Sequence, residues 1–197
     1  MLTNNESRNL QDGEEKRDAS SKLDMQAMEK AMNDMYPGLA MFVRDVNLAE
    51  GLAEKYTAGS VIREKAFTDA SCRIGGLVTT HRYIILSNHM GNLSAFEHGT
   101  NWGLFVAQRD SHFKVFGVFR HEDKTAIVLL HLPDDERWKL FQDVDVDIDE
   151  TLMEKACQRF VSACAQPPIP ELANAQWLDR CRFPVGMSDE GELWPLE

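Results

Sequence analysis

Nowhere in the 197 residues is there a run of about 18 apolar residues, so no helical membrane span is expected. The first twenty residues are polar throughout, without the apolar stretch of a signal peptide or the basic amphipathicity of a transit peptide. Cysteine is scarce and poorly spaced for bridging or metal binding. Cys72, Cys157, Cys164 and Cys181 form no CxxC pair, and they read as buried free thiols of a reducing, cytoplasmic compartment. Both phosphate-cradling glycine patterns, GxxxxGK followed by Ser or Thr and GxGxxG, are absent. So are HExxH, a paired Cys/His spacing, and a GxSxG context around Ser87 or Ser94. His98-Gly99-Thr100 is half of a paired HxT signature whose second half is missing. These absences argue against a cofactor, a zinc centre and a serine nucleophile.

Basic charge is also in short supply. Lys and Arg number 21 against 32 Asp and Glu, for a net charge of −11. An acidic chain of this kind lacks the phosphate-neutralising surface that direct nucleic-acid binding needs. The imbalance is uneven: residues 1–72 carry 9 basic and 13 acidic groups, 73–132 carry 6 and 4, and 133–197 carry 6 and 15. All six histidines fall in the mildly basic middle block.

That middle block also holds the clearest pattern. Residues 78–87, 102–107, 113–119 and 125–132 are rich in β-branched and aromatic side chains, with short polar connectors at 108–112 and 120–124. Neither connector contains Asn-Gly, which favours longer loops over two-residue turns. In the third run Phe113, Val115 and Phe119 alternate with Phe116 and Val118, and in the fourth Ile127 and Leu129 alternate with Val128, Leu130 and Leu132. Strands apolar on both sides need cover on both sides. The expected fold is therefore α+β: an antiparallel β-meander of four or more strands covered on both faces by N- and C-terminal helices.

Residues 1–20 have almost no apolar content and read as a disordered tail, leaving 21–197 as a single domain. Met25, Met28, Met32 and Met35 recur at helical spacing before Pro37. Apolar residues spaced along 39–56 suggest a second helix, and Ser60 would cap a short third one through Phe67. Acids at 134–136 would open a helix burying Trp138, Leu140 and Phe141, and Thr151 with Glu154 forms a capping box for another. Pro170 would start the last helix, through Trp177 and Cys181, before a terminal hairpin turning at Gly191.

Three groups are candidate sites. His89, Glu97 and His98 are acid–base side chains in the one long connector, 89–101, where a small hydrolase or metal-dependent enzyme would have its centre. Asp143, Asp145, Asp147 and Asp149 alternate with apolar residues. They resemble a calcium loop in spacing but lack its glycine, and instead make a carboxylate strip suited to a basic protein partner. The Met25–Met28–Met32–Met35 stripe is a second candidate binding face. With no catalytic motif in place, the function expected is a non-enzymatic protein-binding module, such as an inhibitor, immunity or chaperone-like factor. An acidic mimic of nucleic acid is a further alternative.

Overall fold

The computed structural model describes residues 38–142 and 150–197. The polar tail, the methionine stripe and the acidic alternation at 143–149 lie outside the described residues. The described residues hold eight strands: β1 (Ala40–Val46), β2 (Val61–Glu64), β3 (Thr68–Ser71), β4 (His81–Ser87), β5 (Gly91–Asn92), β6 (Leu104–Ala107), β7 (Ser111–His121) and β8 (Lys124–His131). They make one sheet in the order β2-β7-β8-β4-β1-β3-β6-β5. Among the described residues β4 and β8 are the one parallel pair, and the remaining neighbours are antiparallel.

This corrects the expected meander. All four strands foreseen at 78–132 exist, but only β7 and β8 pair as a hairpin. Its loop is just Glu122 and Asp123, closed with Glu122 at a left-handed φ of 53°. β6 lies on the far side of the sheet from β7, beside β3. The helices expected at 39–56 and 60–67 are corrected too. That stretch supplies β1, β2 and a 3₁₀ turn at Ala53–Lys55, and β3 follows directly after it. β1 has no wet face: Phe42, Val43, Arg44, Asp45 and Val46 are all buried, as suits a central strand and not a surface helix.

Cover on the two faces differs, which corrects the expectation of helices on both. On one face Phe42, Val46, Tyr83, Ile85, Ile127 and Leu129 join residues from irregular chain, chiefly Leu52, Tyr56, Val185 and Met187. The opposite face receives the helices. Phe160 of α1 (Glu150–Cys164) meets Phe119 edge-on at 6.2 Å between ring centres. Trp177 of α2 (Ala175–Arg180) sits 5.3 Å from Trp102, in a cluster with Leu104 and Leu172. Asn174 caps α2 by accepting from Trp177 N at 2.9 Å. A bulge in β7 at Phe116 shifts the register between Val115 and Gly117. The extra residue reverses the alternation, so Phe113 and Val115 face one core while Phe119 faces α1.

Two charged residues cross the helical side of the sheet's centre. Asp45 and Arg82 are register partners on β1 and β4. Arg82 Nε donates to Asp45 Oδ1 at 2.6 Å, its second nitrogen to Oδ2 at 2.8 Å, and its third to Gly75 O at 2.9 Å. The neighbouring Gly76 forms a parallel bridge with Pro168. The expected turn at Gly191 is present, with φ 77° and Ser188 N bonded to Glu192 O at 2.9 Å. The four cysteines are free thiols, and among the described residues no helix is long and apolar enough to cross a membrane.

The start of β7 carries a pH-sensitive contact. His112 stacks on Trp138 at 3.9 Å and 7° and faces Leu196 O at 3.2 Å. Burial lowers its pKa, against a smaller rise from that carbonyl. The unfolded chain therefore takes up this proton first, near pH 6.5, and folding stability falls as the pH drops below that value. Urea midpoints should decline between about pH 6.5 and 5, and His112→Gln should remove part of the slope.

Candidate functional site

The irregular segment 183–189 rises over the β1–β2–β3 region and walls two adjoining hollows. The first, about 190 Å³, is lined by Arg44, Glu64, Thr68, Arg180 and Trp194 among others. The second, about 260 Å³, includes Asn47, Leu52 and Arg182. Phe183, Pro184 and Asp189 belong to both. Phe67 and Phe183 expose 60% and 44% of their surface there, with the Arg182 guanidinium 4.3 Å from the Phe183 ring centre.

Polar groups beneath the segment fix its position. Arg44 donates to Asp69 O at 3.0 Å and Phe183 O at 3.3 Å. Tyr56 and Tyr83 share a hydroxyl contact of 2.6 Å; Tyr56 donates to Val185 O at 2.7 Å, and Val185 N donates to Tyr83 at 3.2 Å. Burial pushes the Tyr83 hydroxyl up to about 12. Glu64 accepts from Ala66 N and Gly186 N, each at 2.7 Å. Burial raises its pKa, and those two bonds and the Arg44 charge only partly oppose the rise.

Arg180 holds Asp69 through Nε to Oδ2 at 2.8 Å and through a second nitrogen to Oδ1 at 3.2 Å. Arg44 Nε and Thr68 Oγ1 are buried with no hydrogen-bond partner among the described residues. The first hollow thus combines guanidinium groups with a carboxyl whose affinity for a proton is raised. That combination can bind an anion and move a proton beside it.

The second polar cluster is at the C-terminal ends of β4 and β8. Their parallel pairing places Ser87 next to His131, with Oγ to Nδ1 at 3.0 Å. The His131 ring is buried, 4.0 Å from the His89 ring and 3.6 Å from Asp134 Oδ1 through Nε2.

Of the residues singled out from sequence, only His89 reaches this cluster. Glu97 lies elsewhere and organises its own loop: its carboxylate accepts from Leu104 N at 2.6 Å, from Thr100 Oγ1 at 3.1 Å and from Trp102 N. His98 is exposed. Asp143, Asp145, Asp147, Asp149, Met25, Met28, Met32 and Met35 lie outside the described residues. Sequence reasoning missed Arg44, Glu64, Arg180, His131 and Asp134. The available signal was a charge inside an apolar strand, as in MFVRDV.

No family model and no curated protein matches the chain. Among solved structures it is similar to the type III effector XopAI from Xanthomonas axonopodis pv. citri, with 14% identity and a TM-score of 0.43 over 50% of this chain and 46% of that one. It is similar to the Vis toxin, an ADP-ribosyltransferase from Vibrio splendidus, with 14% identity and a TM-score of 0.39 over 56% of each chain. It is also similar to exoenzyme S from Pseudomonas aeruginosa, solved with human 14-3-3 protein beta and carba-NAD, with 12% identity and a TM-score of 0.42 over 65% of this chain and 64% of that one. The chain spans about half the length of the XopAI and Vis structures. At such values the likeness assigns no activity. The neighbours named here by activity are enzymes, against the expected non-enzymatic protein-binding module.

Proposed function

We propose that the chain is an enzyme that binds a nucleotide in the paired hollows and breaks or transfers a bond there, with Glu64 as the acid–base group. The observation that carries this reading is the shared wall. Two hollows meet along Phe183, Pro184 and Asp189, and each has its own arginine. A ligand with ring systems at its ends and a charged linker matches that layout. Exposed Phe67 and Phe183 offer stacking surfaces, and guanidinium groups pair well with phosphate oxygens. ADP-ribosyl transfer, the activity named for Vis, is one reaction on a ligand of this class.

Calorimetric titration with NAD⁺, ADP and AMP tests the reading. Saturable binding should appear, strongest for the two-ended NAD⁺. Phe183→Ala should weaken it at least about tenfold, equivalent to roughly 1.4 kcal/mol, with an unchanged melting curve, and Arg180→Ala should weaken it likewise while lowering the melting temperature, because Asp69 loses its partner. Glu64→Gln should retain affinity while turnover of the bound nucleotide falls on the order of a hundredfold. Failure of all three nucleotides to bind at millimolar concentration would overturn the assignment.

A further inference from the structure

The geometry points to a divalent metal site of the zinc class at the end of the β4–β8 seam, with His89, His131 and Asp134 as its ligands. It shares no residue with the hollows and does not depend on what they bind. One ligand atom from each of the three side chains lies within 4.8 Å of the others. Atoms bound to one zinc ion at about 2.0–2.2 Å lie within roughly 4 Å of each other. Drawing the three atoms together needs a movement on the order of an ångström, and two of the three residues are at the surface and able to make it. Two imidazoles and a carboxylate form a donor set suited to zinc and its first-row neighbours, and unsuited to magnesium or calcium.

The surroundings resemble the outer shell of a metal site. Ser87 Oγ contacts His131 Nδ1 and fixes the ring, so that Nε2 is directed toward Asp134. Phe113 backs the ring at 5.0 Å, and Ser111 Oγ, 3.2 Å from the same Nε2, would have to release that nitrogen for it to ligate. His89 currently faces Leu132 O at 3.2 Å through Nε2 and Asn88 Oδ1 at 2.9 Å through Nδ1. It would give up one of these contacts to ligate. Three protein ligands leave a fourth position for water on the exposed Asp134 side.

The test is a calorimetric titration of the full chain, stripped with chelator, with Zn²⁺ alone, alongside the absorption spectrum with Co²⁺. One equivalent should bind with micromolar or tighter affinity, raise the melting temperature and give cobalt bands free of thiolate charge transfer. His89→Ala and Asp134→Ala are surface changes, and melting of the metal-free variants checks their fold. Each should weaken Zn²⁺ at least about tenfold and abolish the melting shift. No binding at 100 μM Zn²⁺ (roughly a hundredfold above the expected affinity) would overturn the site. So would undiminished binding in both variants, or a thiolate band that moved the ion to the exposed Cys72.

Discussion

Asp45→Asn is expected to destabilise the protein by about 3–5 kcal/mol, the usual cost of removing one partner from a buried ion pair. Arg82 exposes only 1% of its surface. Its guanidinium is held by both carboxylate oxygens and by Gly75 O. Asn keeps the shape but leaves the positive charge buried with no counter-charge and a single oxygen acceptor at that position. Replacing both residues by leucine should recover much of the loss, because the desolvation cost of two ions disappears with them. Urea unfolding of the single and double variants provides the measurement. A cost under about 1 kcal/mol for Asp45→Asn would place the pair in the range of solvent-screened surface bridges.

Gly76→Ala should be comparably damaging, at about 3 kcal/mol or more, for a steric reason alone. A Cβ at Gly76 would lie 2.0 Å from Gln166 O and 2.8 Å from the Pro167 carbonyl carbon. These are backbone atoms, which cannot swing aside as a side chain would. Relief requires moving the 166–170 segment off the sheet, and with it Ile169, which packs on the Trp102–Trp177 cluster. Tryptophan emission should therefore shift to the red as stability falls. Gly91→Ala is the control, since the nearest atom to its added Cβ is Val106 O at 3.6 Å, an ordinary contact. It should change stability little.

The strands that were legible in sequence are the ones whose side chains advertise them. β4, β7 and β8 are dense in Ile, Val, Leu and Phe, and they were found close to their true bounds. β3, with the sequence TDAS, is fully buried yet mostly polar. Its Asp69 and Ser71 are satisfied by Arg180 and by Trp102 O, partners far away in the chain. β1 is hidden for a similar reason, since Arg44 and Asp45 interrupt its apolar run. The order of strands left no local mark at all. An antiparallel neighbour can follow through a tight turn, but a parallel one needs a long crossover, and nothing in β4 names β8 as its partner.

The candidate sites inherit that difficulty. His89 stood out because it opens a long loop. His131 carries no local mark, and only the parallel register sets it beside Ser87. Arg44, Glu64 and Arg180 come from three elements and share no spacing.

The β4–β8 seam also bears on how the chain reaches its fold. β7 and β8 can zip across a two-residue loop, a fast and local step. β4 must then find β8 from a distance of forty-four residues, as measured between Ser87 and His131, and closing that loop loses chain entropy before any contact offsets it. β1 attaches through β4, and β3, β6 and β5 attach in turn through β1. The two parts of the sheet, β2-β7-β8 and β4-β1-β3-β6-β5, therefore join through one slow encounter. Until it occurs, the β7–β8 ribbon presents apolar residues on both faces and an unpaired strand edge, the surface through which partly folded chains associate.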